Sequence, residues 1–191
     1  MLRTLIPTAR YSFYVAQLVI DHDEVFDMMY ELVRRGIELG MVCDKSEYYA
    51  GTEARYQQIK KLRTLANIQN ADGNMAKICI AGGRTKSKYA KMNVRAILID
   101  IMNAPEGQLQ PTSRVITGSG NLTFNGISSS EEWWQVITDP QYIEETKAAM
   151  KKLWTRASEC GDIEERYQET IAAERRSSEL REQRTTGSPH C

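Results

Sequence analysis

The 191-residue sequence carries 25 basic and 25 acidic side chains, so it is formally neutral, and 41% of its residues are hydrophobic. That length and apolar share suit one globular domain with a real core and exclude a disordered chain. Neutrality excludes capture of a polyanion through overall charge and leaves only a local basic patch for that task.

The hydrophobic runs fall far short of the roughly 20 residues that cross a bilayer, so no transmembrane segment is expected. Four cysteines (Cys43, Cys79, Cys160 and Cys191) lack metal-type spacing, and no leader pattern marks an oxidising compartment. The expectation is a soluble intracellular protein of the cytoplasm, with a mitochondrial or other organellar site left open, and with no cofactor and no metal.

In chain order, Tyr11 to Ile20 is β-branched and aromatic and predicts a buried strand. Asp21 followed by Glu24 has the form of a capping box. Val25, Met28, Met29, Leu32 and Val33 then make one apolar helical stripe, which Gly36 stops. Ile37 to Cys43 returns as a strand. A polar loop with tyrosines leads to Thr52 as an N-cap, and a helix over 53–66 places Tyr56, Ile59, Leu62 and Leu65 on one face. Met75 to Ala81 is a short strand before the Gly82-Gly83 turn; Cys43 and Cys79 sit in strand-like runs as buried thiols. Further strands are predicted over Ala96 to Met102, Arg114 to Thr117 and Glu132 to Thr138. In the last of these Trp133 and Trp134 point to opposite faces, one for the core and one for an interface. Pro140 starts a helix that runs to about Ala157 and buries Trp154.

Strands alternating with helices predict an α/β fold, a layered sheet flanked by helices, over residues 1–160. Residues 161–191 shift to a charged C-terminal helix and a disordered tail. Glu164 to Arg184 carries opposite charges three and four apart, as a solvated helix or a partner-docking helix would.

The chemistry gathers at 93–121. Asn93-Val94-Arg95 is followed by four apolar residues and Asp100, and later by Gly118-Ser119-Gly120-Asn121. This resembles the His-x-Lys-x4-Asp and Gly-Ser-x-Asn signature of the phospholipase D superfamily, with Asn93 at the nucleophile's position and Arg95 at the lysine's. A register anchored on Tyr89-Ala90-Lys91 would leave Asp100 too far from its lysine. The likeness extends over residues 8–157, through Arg10-Tyr11-Ser12-Phe13, the stretch Arg34 to Asp44, and Asn121 to Trp154. It is similar to the short, single-motif members, which include small bacterial nucleases and a mitochondrial cardiolipin-hydrolase-like group. The interval 101–117 is longer than the hairpin those members carry, which leaves it to cover the site or to meet a partner.

The resemblance implies a phosphodiesterase scaffold whose degenerate catalytic positions are Asn93, Arg95 and Asp100, with Asp100 supporting the site from behind. It implies phosphate binding by Arg95, Ser119 and Asn121, support from Gly118, and a glutamate, Glu131 or Glu132, that orients the site. An asparagine amide neither attacks phosphorus nor carries a proton near neutral pH, so the implied nucleophile is absent. Of two histidines, His190 lies in the tail and His22 reads as an exposed residue at a helix start.

Arg84, Lys86, Lys88 and Lys91, interleaved with Tyr89, form a candidate nucleic-acid contact. Single-motif members pair two copies to complete one site. The chain is therefore expected as a homodimer, or as a heteromer with another phospholipase D-like chain, on single-stranded nucleic acid or a phospholipid headgroup. The function implied is an inactive binding or structural subunit. The alternative is an active endonuclease or phospholipid hydrolase completed by a partner chain, or one whose histidine has deliberately been changed to asparagine. A chance likeness in another α/β fold is the third reading.

Overall fold

The computed structural model describes residues 1–44, 53–69, 73, 76–81, 92–105, 107–129, 131–158 and 163–186. Its elements are α1 (Leu2–Leu5), β1 (Ser12–Gln17), α2 (Asp23–Arg34), β2 (Glu38–Asp44), α3 (Glu53–Ala66), β3 (Lys77–Ala81), β4 (Ala96–Ile99), β5 (Arg114–Gly118), β6 (Trp134–Ile137), α4 (Pro140–Ser158) and α5 (Ile163–Thr186). A 3-10 turn (Ile6–Thr8) precedes β1, and a π-helical turn (Asn125–Ser129) precedes β6.

Six strands form one sheet in the order β3-β2-β1-β4-β5-β6. Strands β1, β2 and β3 run parallel, whereas β4, β5 and β6 add antiparallel pairings from β1 outward. The carboxyl ends of β1, β2, β3 and β5 therefore meet the amino ends of β4 and β6 at one end of the sheet.

The apolar alternation of the strands sends side chains to two cores. Phe13, Val15, Met41, Ile97 and Ile116 pack with the stripes of α2 (Val25, Phe26, Met29, Leu32, Val33) and α3 (Ile59, Leu62, Leu65). On the other face Tyr14, Val42, Leu98 and Val115 pack with Ile143, Met150, Leu153 and Ala157 of α4. Each fully buried large side chain contributes about 1.5–3 kcal/mol, so these two layers hold the sheet from both sides. Trp154 completes the second layer edge-on to Tyr14, with ring centroids 5.4 Å apart.

Tyr14 lies flat across Gly40 of the neighbouring strand. A Cβ at Gly40 would come within 2.3 Å of the ring. The Tyr14 hydroxyl donates to Glu38, and burial, with that glutamate beside it, raises the hydroxyl's pKa above its ordinary value.

Three expectations change in the structure. The strand from Ala96 ends at Ile99, because Asp100 takes a positive φ of 53° to turn its carboxylate back under β1. Helix α2 has His22 as its N-cap and no side-chain cap bond, so the Asp21–Glu24 capping box does not form. The first turns of α5 are docked rather than solvated. Ile163 is buried, Tyr167 stacks on Tyr56, and Arg63 pairs with Glu164 beneath the Tyr167 ring. Gly36, with a φ of 84°, ends α2 as its position suggests. Cys43 and Cys79 are both buried. No helix of the described residues is long and apolar enough to cross a membrane.

Candidate functional site

Asn93 and Arg95 precede β4 where the parallel strands end. Their placement rests on Asp44, a fully buried carboxylate at the end of β2, which accepts the backbone N–H of Met92. That bond fixes the chain just before it enters the motif. Asn93 is exposed and Arg95 is half-buried.

The Arg95 Nε donates to Asn121 Oδ1 at 3.1 Å, and the Arg95 carbonyl accepts the Thr117 hydroxyl at 2.8 Å. Two consequences follow from the first bond. It turns the Asn121 amide nitrogen, a donor, away from the guanidinium. It also leaves the two terminal nitrogens of Arg95 with no acceptor paired to them among the described residues, a planar fork suited to two oxygens of one anion.

The loop after β5 is held from two directions. From β6, the Ser119 N–H donates to the Trp133 carbonyl at 3.1 Å, and the Trp133 N–H returns a bond to Ser119 Oγ at 3.2 Å. The Ser119 hydroxyl in turn donates to Glu132. Gly118 permits this closeness, since a Cβ there would lie 2.1 Å from the Trp133 carbonyl oxygen. From β1, Leu122 bridges to Ile20, its carbonyl accepts the N–H groups of Asp21 and His22, and Asp21 Oδ1 accepts the Phe124 N–H at 2.9 Å.

The structure thus brings Asn93, Arg95, Gly118, Ser119, Asn121 and Glu132 to one end of the sheet. Of the two candidate glutamates it is Glu132 that touches the loop; Glu131 is exposed and contacts Ser119 through no bond in the structure. Ser119 is engaged by Glu132, so its hydroxyl proton is directed away from any ligand while that bond holds.

Asp100 is elsewhere. It closes the opposite end of β4, where its carboxylate accepts the N–H groups of Arg10, Tyr11 and Ser12 at 2.7–3.1 Å and the Thr112 hydroxyl. It anchors the start of β1 rather than backing Arg95. The described residues of the 101–113 connection leave from that same far end and are tied there, with Lys147 of α4 donating to the Ala104 carbonyl at 2.6 Å. They do not cover the Arg95 end. Arg84, Lys86, Lys88 and Lys91 lie outside the described residues.

Sequence reasoning missed four residues here: Gln17, Asp21, His22 and Asp44. His22 is buried, 8% exposed, and stacks on Phe124 with ring centroids 5.8 Å apart, which corrects the expectation of an exposed histidine. The signal available was local. Gln17 and Asp44 are polar residues closing otherwise apolar strands, at the sheet end where α/β folds hold ligands.

Three exposed apolar side chains stand near this end of the sheet, Val94, Phe124 and Trp133, and Val94 faces α4 beside Met150 and Leu153. Trp134, beside Trp133, packs against the first core, so the two tryptophans divide between core and surface as their alternation predicts. No cluster of metal-ligating side chains occurs among the described residues.

The family model for the cardiolipin synthase, PLD-like domain matches residues 2–154, and the chain belongs to this phospholipase D-like family. In fold it is similar to NucT from Helicobacter pylori, with a TM-score of 0.63 at 20% identity over 81% of this chain and 86% of that one. It is similar also to Nuc, a phospholipase D family member from Salmonella typhimurium, with a TM-score of 0.60 at 16% identity over 81% and 85% of the two chains. TrmBL2, an archaeal chromatin protein with a novel mode of DNA binding, shares the fold more loosely, with a TM-score of 0.50 at 13% identity over 81% of this chain and 47% of that one. No curated protein matches the sequence.

Proposed function

We propose that this chain binds a phosphate ester at the Arg95 end of its sheet and does not cleave it. One observation carries this reading. Arg95 is oriented through its Nε by Asn121, and its terminal nitrogens are left as an open two-pronged donor, while the position beside it holds Asn93. A guanidinium fork with an adjacent amide donor recognises two phosphoryl oxygens. A carboxamide at the nucleophile's position forms no phospho-enzyme, because its nitrogen lone pair is delocalised into the carbonyl.

In this reading Asn93, Arg95 and Asn121 contact the anion. Gly118, Ser119 and Glu132 shape the loop, and Asp44 sets the entry to the motif. One motif per chain supports a two-fold dimer, or pairing with an active phospholipase D-like chain, with the exposed Val94, Phe124 and Trp133 at the contact or against the bases of a single strand. Arg84, Lys86, Lys88 and Lys91 would extend such a strand's backbone contact. A phospholipid headgroup offers the same anion.

The test is binding without turnover. A short single-stranded oligonucleotide and a soluble glycerophosphodiester are titrated into the chain and recovered. The reading expects saturable binding, intact ligand, and loss of affinity of tenfold or more in Arg95→Gln. Unchanged affinity in that variant, or cleaved ligand, would overturn it. The alternative of a catalytic heteromer predicts cleavage only after an intact phospholipase D-like chain is added.

A further inference from the structure

The side chain of Gln17 is fully buried, and neither its Oε1 nor its Nε2 has a hydrogen-bond partner among the described residues. A buried carboxamide with both ends unmet is costly, and native interiors rarely leave one so. Its place in the sheet gives it a reason. Ala16 of β1 pairs with Ala96 of β4 in an antiparallel register, so one step further along Gln17 stands beside Arg95. Phe13 and Val15 share a core with Ile97 and Ile99, and alternation carries Gln17 and Arg95 to that same face. The orphaned amide and the open guanidinium fork are therefore strand neighbours, roughly 5 Å apart at the backbone.

Resting on the anion reading above, we infer that Gln17 recognises a hydroxyl group on the carbon next to the ligand's phosphate ester. The carboxamide offers one acceptor and one donor edge, and a hydroxyl is the smallest group that answers both. The spacing restricts where that hydroxyl sits. One strand's width from the phosphate reaches a vicinal carbon, and a nucleobase lies beyond it. The phosphate takes the two open terminal nitrogens of Arg95 while its Nε stays on Asn121, and the ester's adjacent carbon then lies toward Gln17. The shared chemistry is a β-hydroxy phosphate ester, which both a glycerophosphate and a ribonucleotide 3′-phosphate supply. Simple alkyl and 2′-deoxy phosphates lack it.

Two ligand pairs test this by calorimetric titration of the full chain: glycerol 3-phosphate against n-propyl phosphate, and adenosine 3′-monophosphate against its 2′-deoxy form. The hydroxyl-bearing member of at least one pair should bind about tenfold or more tightly, and the pair that shows it identifies the source. In Gln17→Met, which keeps the buried volume, that ratio should fall to about one while the hydroxyl-free ligand binds as before. The unmodified chain carries half of the test, so a variant that fails to fold does not remove it. Equal binding within both pairs, with affinity still lost in Arg95→Gln, overturns the role of Gln17 and leaves the anion site standing. A preference that survives Gln17→Met overturns it as well. No binding by any of the four ligands overturns both readings together.

Discussion

The two ends of β4 contrast in how far their polar groups are matched. At the Asp100 end a single carboxylate takes three backbone N–H groups and a hydroxyl, and the Ser113 hydroxyl donates to the Asp100 carbonyl. Tyr14 reaches Glu38 at the same end, and Arg35 donates to the carbonyls of Pro7 and Ala9, although the buried Ser12 Oγ there has no partner among the described residues. At the Arg95 end, among the described residues, a guanidinium keeps two open nitrogens and Gln17 has no partner, and three apolar side chains are exposed. Matched groups in a closed lattice stabilise. Unmatched groups beside an opening are what a ligand needs, at some cost to stability. The motif that resembles one catalytic unit is thus divided between two tasks, with Asp100 holding the fold and, in the proposed reading, Arg95 left for binding.

Removing the matched end should cost most. Asp100→Ala strips four donors of their acceptor and places alanine at a positive φ, with an expected loss of about 3–4 kcal/mol. Urea unfolding measures it, and a loss below ~1 kcal/mol would break the contrast. Gly40→Ala forces a Cβ into the Tyr14 ring and should cost about 1–3 kcal/mol by the same assay.

Tyr14→Phe is expected to cost about 1 kcal/mol at neutral pH, and it carries a pH signature. The Tyr14 pKa is raised in the folded chain above 10.0, by burial first and Glu38 second, so the folded state holds the proton more tightly than the unfolded one. Its contribution is complete below pH 10 and falls as the pH climbs beyond 10. The alkaline limb of stability against pH should therefore be shallower in the phenylalanine form. Identical limbs would show that Tyr14 does not govern it.

At the other end, Arg95→Gln should move stability by no more than about 0.5 kcal/mol while weakening anion binding about tenfold or more, which sharpens the contrast from the opposite side. The smallest effect is expected from Glu164→Gln on the α5 contact. Arg63 holds the Glu164 carboxyl below its ordinary range, yet the pair is open to water, and salt should erase the difference.

The regular elements were legible because their causes are local. The α3 stripe ends where its apolar spacing ends, and Gly36 marks the close of α2 by the conformation it alone adopts freely. The family was legible too, since the spacing of Asn93, Arg95 and Asp100 around one short strand and the later Gly118-Ser119-Gly120-Asn121 carry its likeness. What escaped were partners far apart in sequence. Asp21 looks like a helix cap by its neighbours, but Phe124 claims its carboxylate from 103 residues away. His22 looks exposed until Phe124 covers it. Asp100 reads as a site residue by motif, and only the antiparallel pairing of β1 with β4 shows that it faces the start of β1. Topology supplied each of these, and periodicity carries no trace of it.

The most direct test of the central claim is hydrolysis of an aryl phosphodiester, with chelator present, by the chain as it stands and by Asn93→His. An intact phosphate site lacking only its nucleophile predicts no turnover by the unmodified chain and measurable turnover once the imidazole is supplied. Turnover by the unmodified chain, unaffected by the substitution, would contradict it.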